Sequence, residues 1–159
     1  MMTMTQDRPA ATQPRIEMCC HIDSSMLGLL RGFVSMLATH LGFSEEETNQ
    51  IEICVDEACA NALEHAYRPQ GATNYVDKPK ELFIEIFFQD RELTIRVIDH
   101  GCGFSDAQSR ISSVEEYSAP DRESYRGLGL YMIRKFMDRF EIRSEPGRGT
   151  TVEMTKIRR

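Results

Sequence analysis

Residues 52–67 read EICVDEACANALEHAY and carry Glu57, Asn61 and His65 at a spacing of four. At 3.6 residues per turn, that spacing lines up an acid, an amide and an imidazole on one side of a helix. An ionised carboxylate accepts a proton from a hydroxyl or a water. An amide carbonyl is a neutral magnesium ligand where phosphates complete the shell. The bland alternative is a solvated flank, because amphipathic helices ordinarily carry polar residues beside their apolar face.

Two glycine-bearing loops add chemistry. Asp99-His100-Gly101-Cys102-Gly103-Phe104 follows the strand-like ELTIRVI. Alternating glycines let backbone approach a flat ligand closely, and the acid can accept a hydrogen bond from an exocyclic amine. Alone, D-x-G-x-G is a weak signal that more often marks a turn with no ligand. Arg126-Gly127-Leu128-Gly129-Leu130 opens a helix. Glycines there expose amide N–H groups at the end of the helix that favours anions. Arg126 adds forked donors for a terminal phosphate. There is no G-x-x-x-x-G-K-[ST], and no G-x-G-x-x-G follows a strand, so neither a P-loop nor a dinucleotide fold has support.

The elements that must hold these residues are legible from periodicity. Residues 1–14, polar and bearing two prolines, read as a disordered tail, and residues 15–159 as one domain. A strand is expected at 15–22. A helix should follow to about Leu41, with Asp23, Ser24 and Ser25 as N-cap candidates and Leu29, Phe33, Met36, Leu37 and Leu41 as its apolar positions. Ser44 to Glu47 forms a capping box for a second helix reaching about Tyr67. On its wheel Ile51, Val55, Ala58, Ala62 and Ala66 face the core, with Glu52 and Asp56 on one flank and the Glu57–Asn61–His65 line on the other. Strands at 81–88 and 92–99 meet at Asp90-Arg91. A helix over 127–138 and strands at 140–145 and 150–157, turning at Pro146 to Gly149, complete the pattern. The fold class is α/β (α+β): a two-layer sandwich whose mixed, mostly antiparallel sheet carries helices on one face.

Bulk properties narrow the function. A net charge of −6 argues against a mainly electrostatic nucleic-acid binder. The basic runs at 139–143 and 156–159 read as solvated edges. Five cysteines without a C-x-x-C pair suggest free thiols in a reducing compartment, and no His/Cys spacing fits zinc. No apolar run approaches the roughly 20 residues that span a bilayer. The expectation is a soluble cytoplasmic protein with no direct nucleic-acid or membrane contact.

Taken in order, E-x-x-x-N on a helix, D-x-G-x-G-F, R-G-L-G-L and G-R-G-T-T resemble the ATP-binding superfamily of gyrase, the Hsp90 chaperone, histidine kinases and the mismatch-repair protein MutL (GHKL). Within it, DEACANALEHAY and the short length look most like the anti-sigma-factor serine kinases. The resemblance covers about residues 15–157 and implies a GHKL-type ATPase fold. It implies that Glu57 is the general base and Asn61 the magnesium ligand. Asp99 would recognise the adenine amine, with Gly101 and Gly103 beside it and Thr150 near the ring. Gly127, Leu128 and Gly129 would face the phosphates, Arg126 would contact the γ-phosphate, and residues 104–125 would be the ATP lid. His65 matches a family position where packing or hydrogen bonding serves as well as catalysis. The segment 68–80 is long for the family, and Asp56 stands where a small hydroxyl residue is common.

The function so implied is a Mg-ATP-dependent serine/threonine protein kinase. Its substrate would be a small anti-sigma-factor antagonist, and it would also sequester a sigma factor as part of partner switching in transcription regulation. A homodimer through residues 15–41 is an expectation by analogy. The competing readings are a non-catalytic ATP-binding module that holds a partner, or a kinase of another partner-switching pathway. A detached histidine-kinase domain lacks support, because no helical hairpin with a phospho-acceptor His precedes the domain.

Overall fold

The computed structural model describes residues 14–21, 25–63, 80–103 and 128–159. The tail at 1–13, the N-cap residues Asp23 and Ser24, the helix extension with Ala66 and His65, the segment 68–79, the lid, Arg126 and Gly127 lie outside the described residues.

In chain order the elements are β1 (Arg15–His21), α1 (Leu27–His40), α2 (Glu45–Asn61), β2 (Glu81–Gln89), β3 (Glu92–Asp99), α3 (Leu128–Phe136), β4 (Arg139–Glu145) and β5 (Gly149–Ile157). The strands form one sheet in the order β1-β2-β3-β5-β4. Every described pairing is antiparallel, the limit of the mixed sheet expected. Both β2–β3 and β4–β5 are hairpins, which sets that direction. At the first, Asp90 and Arg91 take φ of 50° and 76°, the doubly left-handed two-residue turn that matches strand twist.

The sheet sorts its side chains by alternation. Leu82, Ile84, Ile86, Leu93, Ile95, Val97, Val152 and Met154 point to the helices and are buried. From the helices come Leu30, Val34, Ala38, Ile51, Val55, Ala58, Cys59 and Ile133. The other face is largely polar, with Phe83, Phe87 and Ile98 among its charges: Arg96 bridges Glu85 and Glu153 across three strands and lies 5.0 Å over the Phe87 ring. Hence there are two layers, with the core between sheet and helices.

Helix α2 starts as expected. The Ser44 hydroxyl accepts from the Glu47 amide at 3.2 Å, and the Glu47 carboxylate accepts from the Ser44 amide at 2.8 Å. Glu52 and Asp56 face α1, where Arg31 approaches them at 3.3 and 3.9 Å.

Two expectations are corrected. On α1 the core stripe is Leu30, Val34 and Ala38, with Phe33, Leu37 and Leu41 beside it; Leu29 and Met36 are exposed. This helix is apolar around most of its circumference, so its wheel did not fix which side docks. The basic run at 156–159 is not a solvated edge either. Lys156 is only 4% exposed, the Arg158 amide donates to the Arg91 carbonyl, and the Arg159 amide donates to the Glu47 carboxylate.

Candidate nucleotide site

The sheet's end at Asp99 gathers one group of site residues. Asp99 closes β3 and pairs in register with Thr150 near the start of β5. It is buried, and its carboxylate accepts from the Gly101 amide at 3.0 Å and from the Thr150 backbone. Burial raises its pKa above the ordinary carboxylate value, against the pull of those two amides and of His100. The acid is thus held in one orientation at the strand end, with its charge incompletely solvated. The Thr150 hydroxyl is 2.8 Å from the Ser144 hydroxyl.

The glycine loop and the β4–β5 hairpin form one unit. The Gly147 amide donates to the Cys102 carbonyl at 2.7 Å. Gly103, at φ +63°, lies so close to the hairpin that a Cβ would stand 2.0 Å from the Glu145 carbonyl oxygen. Gly149, at φ +101°, would bring a Cβ to 2.1 Å from the Asp99 carbonyl oxygen. Both positions require glycine, for backbone conformation and for space. The two motifs D-x-G-x-G and G-R-G-T-T, about fifty residues apart in sequence, therefore share one packing contact.

The second group sits where α2 meets α3. A Cβ on Gly129 would be 2.5 Å from Glu57 Oε2 and 3.2 Å from Asn61 Nδ2. The opening turn of α3 thus presses its backbone against the acid and amide of α2. Asn61 Nδ2 is buried and has no hydrogen-bond partner among the described residues. A buried amide N–H with unmet donor capacity is costly, and a hydrogen-bond acceptor such as a phosphate oxygen would meet that need. Along α2, Cys54 is also buried, with its sulfur 3.9 Å from the Met132 carbonyl oxygen. Burial pushes the Cys54 thiol up to about 12, as it does that of Cys59. Neither is a nucleophile at neutral pH. None of the five cysteines is in a disulfide.

Both groups lie toward the same end of the sheet. Glu47 accepts from the Arg159 amide and, one turn on, Gln50 accepts from Lys156, so α2 runs back along β5 from the C-terminal end of that strand toward its start. Thr150, near that start, is the register partner of Asp99. The C-terminal half of α2 therefore lies over the sheet end that carries Asp99.

Comparison with known proteins fits this arrangement. Residues 23–156 match the family described as histidine kinase-like ATPase domain. The serine-protein kinase RsbW of Bacillus licheniformis is 35% identical over 145 residues, 89% of this chain and 84% of the relative. That of Bacillus subtilis is 34% identical over 144 residues, with the same coverage. The chain belongs to the anti-sigma-factor serine-kinase family of histidine kinase-like ATPase domains. The anti-sigma F factor of Caldanaerobacter subterraneus is 33% identical over 126 residues, 79% of this chain and 81% of its own. A more distant likeness, at 17% identity and a TM-score of 0.45, is to a histidine kinase domain from Erythrobacter litoralis, covering 82% of this chain and 60% of that one.

ATP binding comes with membership in this family of ATPase domains. Of the residues expected to serve it, Glu57, Asn61 and Gly129 form one contact group and Asp99, Gly101, Gly103 and Thr150 the other. Leu128 opens α3. Sequence reasoning missed Cys54, Gln50 and Lys156 as neighbours of the acid's helix face. The available signal was the recurrence of Gln50, Cys54, Glu57 and Asn61 at spacings of four, three and four. No helix among the described residues is long and apolar enough to cross a membrane.

Proposed function

We propose that this chain transfers the γ-phosphoryl group of ATP to a serine or threonine of a small anti-sigma-factor antagonist, and that it also sequesters a sigma factor. Glu57 takes the hydroxyl proton as the oxygen–γ-phosphorus bond forms. The bond from γ-phosphorus to the bridging oxygen breaks, and its electron pair leaves on ADP. Asp99 accepts from the adenine amine, and Thr150 lies beside the ring. The amides around Gly127, Leu128 and Gly129, with Arg126, face the phosphates and offset developing charge. Asn61 would hold magnesium through its side-chain oxygen, and that ion would supply charge neutralisation at the phosphates. Phosphoryl transfer depends mostly on positioning and electrostatics, so few catalytic groups suffice. The setting is the cytoplasm, where a sigma factor and its antagonist compete for the same protein.

The observation that carries this reading is the contact of Gly129 with Glu57 and Asn61, which leaves no room for a side chain between them. It brings a proton acceptor and an amide N–H donor against a helix start suited to anions, with the oxygen of the same amide one bond away through the shared carbon. A pure nucleotide-binding module has no need of the acid.

The test is transfer from γ-labelled ATP to candidate antagonists captured from cell extract. Glu57→Gln is expected to abolish labelling while ATP binding persists. Full labelling by that variant would remove the base assignment. ATP-dependent capture of a partner without labelling by the native chain would favour the non-catalytic module.

A further inference from the structure

Lys156 is buried in the helix–sheet layer, 4% exposed, and its ammonium donates to the Gln50 side-chain oxygen and to the Phe136 carbonyl, each at 2.6 Å. Phe136 is the last residue of α3, so the cation caps the negative end of that helix. An apolar side chain would fill the same space without the desolvation cost of an ammonium. What the lysine adds is direction, since a hydrogen bond fixes one position and apolar contact tolerates sliding.

The α2–α3 contact reads as a ladder. At one end Gln50 meets Phe136 through Lys156. In the middle the Cys54 thiol faces the Met132 carbonyl. At the other end Glu57 and Asn61 meet Gly129. The helices run in opposite directions along it. From Gln50 to Glu57 and from Phe136 to Gly129 is the same number of residues, about 10 Å at 1.5 Å per residue. Anchoring one end of a rigid helix therefore sets the height of the other.

We propose that Lys156 is a positioning residue: with Gln50 it pins the C-terminal carbonyl of α3 and so fixes where Gly129 stands against Glu57 and Asn61. This rests on the kinase reading above. Lys156 touches neither nucleotide nor acceptor, and it acts through α3.

The test compares Lys156→Met, Gln50→Leu and the double variant in the full chain, well below their unfolding temperatures. Transfer at saturating ATP should fall about tenfold in Lys156→Met and somewhat less in Gln50→Leu, because loosening a remote anchor shifts Gly129 by only part of the roughly 1 Å that costs chemistry about a hundredfold. ADP affinity, governed by the Asp99 end, should stay within twofold. The double variant should be no slower than Lys156→Met, because both residues serve one clamp. Amide hydrogens of Leu130 to Ile133 should exchange faster in Lys156→Met. If Lys156→Met does not fold, Gln50→Leu carries the same comparisons. Transfer within twofold of the native chain would overturn the proposal. So would parallel loss of ADP affinity and transfer, which marks general loosening. If the native chain transfers no phosphate, the kinase reading fails instead; transfer that persists in Glu57→Gln removes only the base assignment. The exchange measurement then decides the clamp alone, and unchanged exchange overturns it.

Discussion

Gly129→Ala separates stability from chemistry at the candidate site. Gly129 has no positive φ, so alanine suits its backbone. Helical alanine is favoured over glycine by roughly 0.5–1 kcal/mol. The new methyl would stand 2.5 Å from Glu57 Oε2 and 3.2 Å from Asn61 Nδ2. A relaxed contact of about 3.5 Å then requires the Glu57 carboxylate to retreat by about 1 Å. That carboxylate is the far end of a flexible side chain, and leaving its rotamer well costs about 0.5–1.5 kcal/mol. The two terms nearly cancel. Net stability should change by less than about 1 kcal/mol, a shift in Tm of no more than about 4 °C. Displacing a general base by that distance should slow transfer about a hundredfold. The assay pairs thermal unfolding with single-turnover transfer at saturating ATP, in native and Glu57→Gln backgrounds. In the second background the alanine should have little further effect, because the group it displaces is already inactive. An alanine variant that transfers at the native rate, or one that unfolds many degrees early, would refute the reasoning.

The two remaining predictions concern the Asp99 end of the sheet. Asp99→Asn should weaken adenine-nucleotide binding about tenfold or more, the scale of a charge-assisted hydrogen bond, as read by calorimetric titration. The folded pKa of Asp99 is raised by burial above its ordinary value of 3.8. Its contribution to stability is therefore present below the unfolded pKa and lost as pH rises through the folded one, so urea titrations should show the native chain losing ground to Asp99→Asn across that rise. Gly149→Ala, whose Cβ would meet backbone at 2.1 Å from a residue at φ +101°, should cost about 3 kcal/mol or more, seen as a Tm lower by at least about 6 °C.

Much of the fold was legible because its signals are local. Ser44 and Glu47 state a helix start in four residues, and the structure has both bonds of that box. The Asp90-Arg91 turn and the strands around it follow from alternation and length. The observed strands begin or end within about two residues of expectation, the usual uncertainty of element ends. Two things were not legible. Leu29 and Met36 lie on one of two apolar sides of α1, and docking against α2 and the sheet chooses between them. Lys156 sits in a basic run that reads as solvated; only the approach of α3 and Gln50 gives its ammonium partners. At the site, residue types and order named the chemical groups. Sequence did not foretell that Gly103 packs under the Glu145 carbonyl, or that Gly129 abuts Glu57. Such contacts join segments distant in the chain, and no periodicity encodes them.

The position of β5 carries a consequence for assembly. It is the last strand in sequence, yet it lies between β3 and β4. Until it inserts, β4 has no described neighbour and Asp99 lacks the opposing Thr150. A chain folded only as far as α3 thus has the Gly129 contact with Glu57 and Asn61, while the Asp99 group still lacks Gly149 and Thr150. Nucleotide capture should begin only once β5 has paired with β3, and chains truncated before Gly149 should be silent toward ATP rather than weakly competent. Long-range closure of this kind also slows folding, so the wait is built into the topology.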